Sequence, residues 1–448
     1  MSNQFSLLKE NRFRPFFLTQ FFGAFNDNVF KTALITLVAF HAATLTTIDG
    51  GTLVTVLPGL FILPFFLFSA TAGQIADKFE KSKIIRLVKE FEICIMLFAS
   101  IGFFLHNIWL LALALFMMGM HSTLFGPVKY SYLPQHLKEH ELIGGNGVVE
   151  MGSFVAILLG QVSGAWLAIQ QQHELYTSLA ILAIALTGYW TSRGVPLSPA
   201  ADTNLQINWN PITETYKNVK LIWGKQSVWL AIVAISWFWF YGATFLTQFP
   251  SFAKLILHGD ESVFILLLSV FSIGIGVGSL LCERMSHGKI ELGLVVFGAL
   301  GLTLFGIDLY YASSHVVQHQ PNTLMHNMGS FIHYLNHLRL LADIALIGLF
   351  GGFYIVPLYV LIQTRSEKTH QSRVIAANNI MNALFMVVSV GFSMVIFAQG
   401  FSIPELFLAT ALLNIVVMAY LCIRQPEYIV TFIAWVKRVI FRESTKNS

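Results

Sequence analysis

Few residues in this chain can do chemistry, and most of those few lie inside long apolar runs. Asn26-Asp27-Asn28 and Lys31 interrupt a run of Phe, Leu, Val and Ala between about residues 16 and 42. An Asp or Lys at the centre of a spanning helix costs about 2.5–3.5 kcal/mol on insertion scales, so it needs a polar cavity or a partner. Asp27 and Lys31 stand four apart and can satisfy each other on one helix face. Asn26 and Asn28 add polar groups that a structural ion pair does not require, which favours a cavity wall. Asn146 and Glu150, one turn apart, form a second polar stripe, and Asn378 and Asn382 repeat that spacing later in the chain. Lys129 follows Gly126-Pro127. If the helix continues through the proline, the ammonium points into a cavity; if it stops there, the lysine faces water, because Pro disfavours helix at its predecessor.

A second group marks helix ends. Gly73, Asp77, Lys78 and Lys81 cluster where one apolar run stops, and Glu283-Arg284 repeats the acid and base at the matching place in the second half. Asp77 cannot favour its own helix terminus, where the dipole is negative, but it can meet the positive N-terminus of a neighbouring helix or a basic residue. That arrangement is a breakable latch. Lys89, Glu90 and Glu92 are expected to pair locally or to reach toward the inner interface, and Arg339 and Asp343 to form an i, i+4 structural pair.

Several chemistries are excluded. No Walker loop, G-x-S-x-G elbow or dinucleotide fingerprint occurs, so neither an ATP-driven pump nor a hydrolase of soluble type has its motif. His315, His319, His326, His333 and His337 lie in one outer segment with no Cys or acid beside them, so no metal or other cofactor is expected. Cys94, Cys282 and Cys422 fall in or at the end of apolar runs and imply no disulfide framework. No basic block is long enough to track nucleic acid.

The elements that position these residues follow from composition. Of 448 residues 55% are apolar and 11% charged, against about a quarter charged in a soluble domain. Unbroken apolar runs exclude a β-barrel, which alternates along short strands. Runs of spanning length occur at about 16–42, 54–76, 84–105, 109–128, 144–169 and 175–191, then at 228–249, 262–282, 290–311, 338–361, 374–398 and 404–423. This predicts an all-α membrane protein of twelve helices in two six-helix halves. Of the 27 Lys and Arg, 23 fall on one side, the termini and even-numbered loops; Lys254 alone lies opposite, and Lys31, Lys89 and Arg339 lie inside spans. Both termini are therefore expected in the cytoplasm. There is no pattern of a cleavable signal peptide.

The expected domains are a first bundle over residues 1–191, a cytoplasmic linker at 192–227, a second bundle at 228–424 and an amphipathic tail helix at 425–448. Asn210-Pro211 is an N-cap and first helical residue for a helix lying on the inner surface. The two halves share faint similarity, the mark of a transporter built from parallel repeats.

Gly73-Gln-Ile-Ala-Asp77-Lys-Phe-Glu-Lys-Ser-Lys83, set between spans two and three of twelve, resembles the major facilitator superfamily, although Glu80 stands where that superfamily usually has Gly. Gly23-Ala-Phe-Asn-Asp-Asn-Val-Phe-Lys31, Phe125-Gly-Pro-Val-Lys-Tyr130, Gly144-Gly-Asn-Gly-Val-Val-Glu-Met-Gly152 and Arg373-Val-Ile-Ala-Ala-Asn-Asn379 resemble the bacterial lysophospholipid transporter family. Asn208-Trp-Asn-Pro211, Ser236-Trp-Phe-Trp-Phe240 and the tail helix are similar to the transporter module that is fused to a glycerophospholipid acyltransferase, often with an acyl-carrier-protein synthetase. No H-x-x-x-x-D acyltransferase motif is present, and Leu246 and Gln248 occupy the part of span seven where stand-alone transporters carry a basic residue.

The resemblance implies a transporter in the bacterial cytoplasmic membrane, surrounded by membrane lipids. It implies that lysophospholipid moves from outer to inner leaflet by alternating access for re-acylation, with an acyltransferase and synthetase fused or separate as partners and a proton or sodium ion as a coupling ion. Lys31 or Lys129 then meets the phosphate, and Asp27 or Glu150 an ethanolamine ammonium. Gly160 with Gly164 and Gly274 with Gly278 supply the close helix contacts of rocking halves. The alternative is a proton-coupled exporter of small amphipathic molecules or drugs, against which span five has no proline.

Overall fold

The computed structural model describes residues 4–48, 50–286, 288–319 and 326–444. Among these the chain is helical, with twelve long helices and three short or amphipathic ones. The long helices of the first half are α1 (Arg14–Leu45), α2 (Gly50–Lys78), α3 (Lys81–Phe104), α4 (Ile108–His136), α5 (Leu142–Ala168) and α6 (His173–Ser192). The linker carries α7 (Pro211–Trp223). The rest follow as α8 (Gln226–Ser251), α9 (Glu261–Ser286), α10 (Gly293–His319), the single turn α11 (Met328–Phe331), α12 (Leu335–Arg365), α13 (Gln371–Ala398), α14 (Ile403–Arg424) and the tail helix α15 (Glu427–Ser444).

Among the described residues, ten helices are long and apolar enough to cross a membrane. The two long helices outside that set, α1 and α3, carry the embedded polar residues Asn26, Asp27, Asn28 and Lys31, and Lys89, Glu90 and Glu92. Lipid tolerates such groups only when the protein covers them.

The helices end where side chains can take over the unpaired backbone groups. Asn107 caps α4 by accepting from the Trp109 and Leu110 amides, and Asn210 caps α7 by accepting from Ile212 and Thr213. Ser402 and Glu405 form a capping box at α14. Pro127 lies inside α4, which continues to His136, so Lys129 is helical.

The chain forms two compact units: Met1–Lys138 with Val155–Gln226 and Gln363–Ala383, and Glu139–Phe154 with Ser227–Ile362 and Leu384–Ser448. The unit boundaries thus run through α5, the last turn of α12, and α13. In the first unit α4 packs on α2 and α3, α6 packs on α1 and α3, and α7 lies against α2. The apolar core here includes Val29, Phe30, Leu34, Ile95, Met96, Leu111 and Leu115. Gly160 and Gly164 let α5 approach α1: a Cβ on Gly164 would stand 2.4 Å from the Val29 carbonyl oxygen. In the second unit a Cβ on Gly278 would stand 2.0 Å from the Leu349 carbonyl oxygen, so α9 and α12 are in backbone contact. Both glycine pairs therefore bind helices inside one unit.

The amphipathic helices are placed differently. In α7 the polar Glu214 and Asn218 are buried, whereas Ile212, Tyr216 and Trp223 are exposed. This suits a helix whose apolar side meets the membrane interface. In α15, Tyr428 and Trp435 are buried, Phe432 packs onto Gly293 of α10, and Arg438 pairs with Glu291, leaving Ile429, Val430 and Ile433 exposed. Residues 445–448 of the expected tail lie outside the described residues.

Candidate functional site

The embedded charges of α1 and α3 converge with two residues of α4 on one buried network. Lys89 Nζ is 2.5 Å from Glu92 Oε2, and both side chains are fully buried. Asn26 donates to Glu92 Oε1 at 2.7 Å. His121 of α4 places Nε2 3.3 Å from Glu92 Oε2 and Nδ1 3.9 Å from Asp27 Oδ1. Ser122 donates to Asp27 Oδ2 at 2.6 Å. Gly23 makes room for Lys89, whose Nζ would be 2.5 Å from a Cβ at that position. Asp27 and Lys31 keep partial exposure while Asn26, Lys89, Glu92 and His121 do not.

The geometry revises several expectations. Asp27 does not take Lys31 as its close partner: Ser122 holds the carboxylate, and the Lys31 ammonium lies over the Phe61 ring, 5.3 Å from its centroid. Lys89 and Glu92 pair locally, as expected, but buried rather than at the inner interface; the glycine notch at Gly23 and the two partners from α1 and α4 hold them inside. Asn28 donates to the Ala24 carbonyl of its own helix at 2.8 Å. Asn146 likewise donates to Leu142, at 2.8 Å.

Asn146 and Glu150 are buried and belong to the second unit; Lys129, Asn378 and Asn382 belong to the first. Lys129 lies over the Tyr130 ring, 5.0 Å from its centroid. Both amide atoms of Asn378 are buried without a hydrogen-bond partner. Arg339 pairs with Asp308 of α10, Nε to Oδ2 at 3.1 Å, and so Asp308 displaces Asp343 as its expected partner. Residues 320–325 of the histidine-bearing outer segment lie outside the described residues. His337 there packs on Phe331, its Nδ1 2.8 Å from that residue's carbonyl oxygen. The described groups with metal-like spacing are instead His106, His173 and Glu174, at the other end of α3 and α6 from the latch residues.

At the α2 end, Asp77 is buried and meets the start of α13. Its Oδ1 accepts from the Ser372 backbone amide at 3.0 Å and its Oδ2 from Arg373 Nε at 3.0 Å. A helix N-terminus presents free amides and a positive dipole end, and Asp77 satisfies both. Gly73 permits the approach, since a Cβ there would stand 2.7 Å from Ala376 Cβ. Gly126 of α4 is covered in the same way by Asn379. Lys78 lies over the Phe79 ring, Lys81 is buried, and Arg284 is exposed.

The linker is laced to this end. Ala201 and Asp202 donate backbone amides to the Asp77 carbonyl at 2.8 and 2.9 Å, and Gln74 exchanges two hydrogen bonds with the Asn208 backbone. Glu80 is the other anchor. Its carboxylate caps α3 through Ser82 and Lys83 and also accepts from the Ser198 amide at 2.7 Å. Burial alone would raise its pKa, yet the donors Ser198, Ser82 and Lys83 hold it below the ordinary glutamate value. Because the folded pKa is depressed, the stabilisation is present above the unfolded value and lost as pH falls through the folded one. Glu80→Gln is expected to reduce hydrogen-exchange protection of the Ser198 amide roughly fivefold at neutral pH. The wild-type protection is expected to fall toward that level only below the usual glutamate range.

Comparison with known proteins agrees with this architecture. The family described as Major Facilitator Superfamily matches residues 16–317. The lysophospholipid transporter LplT of Enterobacter sp. (strain 638) is 25% identical over 385 residues, covering 83% of this chain and 85% of that one. The LplT of Escherichia coli O6:K15:H31 is 25% identical over 364 residues, 79% and 80% of the two chains. The crystal structure of the transporter FucP in the outward conformation superposes with a TM-score of 0.66 at 14% identity, covering 93% of this chain and all of that one. The human organic anion transporter MFSD10 gives 0.66 at 11% identity, covering 94% and 99%. Twelve long helices, an acid-and-glycine helix end between α2 and α3, and a buried polar network within apolar helices are thus the parts of a membrane transporter rather than an enzyme, and the chain belongs to the Major Facilitator Superfamily.

Proposed function

We propose that this chain moves lysophospholipids from the outer to the inner leaflet of the bacterial cytoplasmic membrane by alternating access, supplying them for re-acylation. The observation that carries the reading is the partly exposed pair Asp27 and Lys31 at the edge of an otherwise sealed polar network, in a chain whose relatives include LplT. A lysophospholipid presents a phosphate, in many cases an ammonium, and one acyl tail. The Lys31 ammonium suits the phosphate, the Asp27 carboxylate suits the ammonium, and the Phe-rich apolar helices let the tail remain in lipid. Lys129, Asn378 and Asn382 in the first unit, and Asn146 and Glu150 in the second, are proposed as further substrate-contacting residues. Asp77 with Ser372 and Arg373 is the proposed gate, opened and remade in each cycle, with Gly73, Lys78 and Lys81 around it; Glu283 and Arg284 are proposed as gating residues of the second unit. An acyltransferase and an acyl-carrier-protein synthetase, fused or separate, are the proposed partners, and the distribution of Lys and Arg supports both termini in the cytoplasm.

Transfer of labelled lysophosphatidylethanolamine into spheroplasts tests the assignment. Losing one charge-assisted contact weakens recognition by roughly tenfold to a hundredfold. Asp27→Asn and Lys31→Ala are each expected to lower transfer by that much at unchanged protein level. Undiminished transfer by both variants would remove the pair from the mechanism.

A further inference from the structure

We propose that His106, His173 and Glu174 form a binding site for a divalent transition-metal ion, Zn2+ being the ion that fits, at the end of the first unit opposite the Asp77 clasp. The inference goes beyond the transport reading and does not depend on it.

The three side chains meet because of how two helices end. At the C-terminus of α3, the Asn107 amide donates to the Gly102 carbonyl at 3.0 Å and the His106 amide to the Phe103 carbonyl at 3.1 Å. This pair of bonds is the Schellman turn, which sets residue 106 in the left-handed region where glycine is the usual occupant. His106 stands there with a φ of 49°, so the turn carries an imidazole where the backbone alone asks for no side chain. His173 is the first residue of α6 and Glu174 the second. Helices α3 and α6 pack on each other within the first unit, which holds the turn beside the helix start.

The distances separate a metal site from a hydrogen-bonded pair. His106 Nε2 lies 3.5 Å and His173 Nε2 3.4 Å from the same atom, Glu174 Oε1. Both are longer than an ordinary N–H···O bond of about 2.7–3.2 Å. They match the edge of a zinc tetrahedron, about 3.3–3.5 Å when the bonds to nitrogen and oxygen are about 2.0–2.1 Å. The three ligand atoms all lie within 4.8 Å of one another, and the edge between the imidazoles closes by turning the half-exposed His106 ring. The helix dipole accounts for an acid in the first turn of α6, but not for two imidazole nitrogens converging on one of its oxygens. Two imidazoles and a carboxylate suit Zn2+, whereas Mg2+ and Ca2+ take oxygen ligands. Three protein ligands leave the fourth corner to water. The bound ion ties the α3–α4 turn to the start of α6.

The test uses the purified full chain in detergent, without a polyhistidine tag and freed of metal by a chelator. Calorimetric titration with Zn2+ is expected to show one saturable site per chain, and Co2+ to give the visible bands of a tetrahedral ion. Loss of a group that merely supports a metal ligand costs roughly 10–100-fold in affinity, so His106→Gly, His173→Ala and Glu174→Gln are each expected to weaken Zn2+ by at least that much. The exposed His333, outside the site, supplies the control: His333→Ala is expected to bind as the wild type does. His106→Gly also guards against misfolding, because glycine suits the left-handed position. Its metal-free thermal transition is expected at or above that of the wild type, with no further rise on adding Zn2+, whereas the wild-type transition rises. No saturable Zn2+ site in the wild type, or binding that survives in all three variants, overturns the proposal. No arm reads lipid transfer, so a transporter that fails to move lysolipid leaves the result standing.

Discussion

Lys89→Met is expected to destabilise the first unit by about 3–5 kcal/mol, seen as a large fall in the thermal transition of the purified protein in detergent. The ammonium of Lys89 and the carboxylate of Glu92 are 2.5 Å apart and wholly covered. Taking both from water is expensive, and their attraction offsets that only while both are present. Methionine fills the volume beside Gly23 but leaves Glu92 as a buried anion with Asn26 and His121 alone around it. The double replacement Lys89→Met with Glu92→Leu removes that uncompensated charge and is expected to be more stable than the single one. It does not reach the wild type, because Asn26 and His121 then lose their acceptor. A single variant that melts like the wild type would show that the pair is not buried in the folded protein.

The second large effect is expected at Asp77→Ala. Its carboxylate caps the first turn of α13 through Ser372 and pairs with Arg373. Loss of a cap costs about 0.5–2 kcal/mol and loss of the charge-assisted bond to Arg373 about 1.5–3 kcal/mol. Amide exchange over residues 372–380 is therefore expected to accelerate by one to three orders of magnitude. Asp77→Asn, which keeps an acceptor for Ser372 but not the charge, is expected to fall between. The linker provides the internal control: Ala201 and Asp202 bind the Asp77 carbonyl, not its side chain, so their exchange should not change. Unaltered exchange at the start of α13 in Asp77→Ala would contradict the assignment of Asp77 as the clasp between α2 and α13.

Much of the architecture is readable from residue types because lipid enforces one rule, that a spanning segment be long and apolar. The expected run at 374–398 became α13 at Gln371–Ala398, and 404–423 became α14 at Ile403–Arg424. The cap at Asn210 was equally legible, since an Asn followed by Pro is a local signal. Asp77 was readable as an acid needing a helix N-terminus or a base, but not as the partner of Ser372 and Arg373, which lie nearly 300 residues away.

The polar network was legible only in part for the same reason. Asp27, Lys31, Lys89 and Glu92 stand out as charges in apolar runs. His121 and Ser122 do not, because their partners come from α1 and α3, and the only signal was a histidine within Met118-Gly-Met-His121-Ser-Thr. Near neighbours in sequence also misled. The i, i+4 spacing suggested Lys31 for Asp27 and Asp343 for Arg339, whereas tertiary packing supplied Ser122 and Asp308. Pro127 left open whether the helix reaches Lys129; the continuation of α4 to His136 makes it helical.

The central claim, that this superfamily member carries lysophospholipid, is tested most directly by reconstitution. Purified protein is placed in vesicles of phosphatidylethanolamine and phosphatidylglycerol, labelled lysophosphatidylethanolamine is added to the outer leaflet, and albumin extracts what remains outside. The account predicts that label becomes inaccessible to albumin in vesicles containing the wild type and stays extractable with Asp27→Asn. Label that remains fully extractable in vesicles holding folded wild-type protein would contradict it.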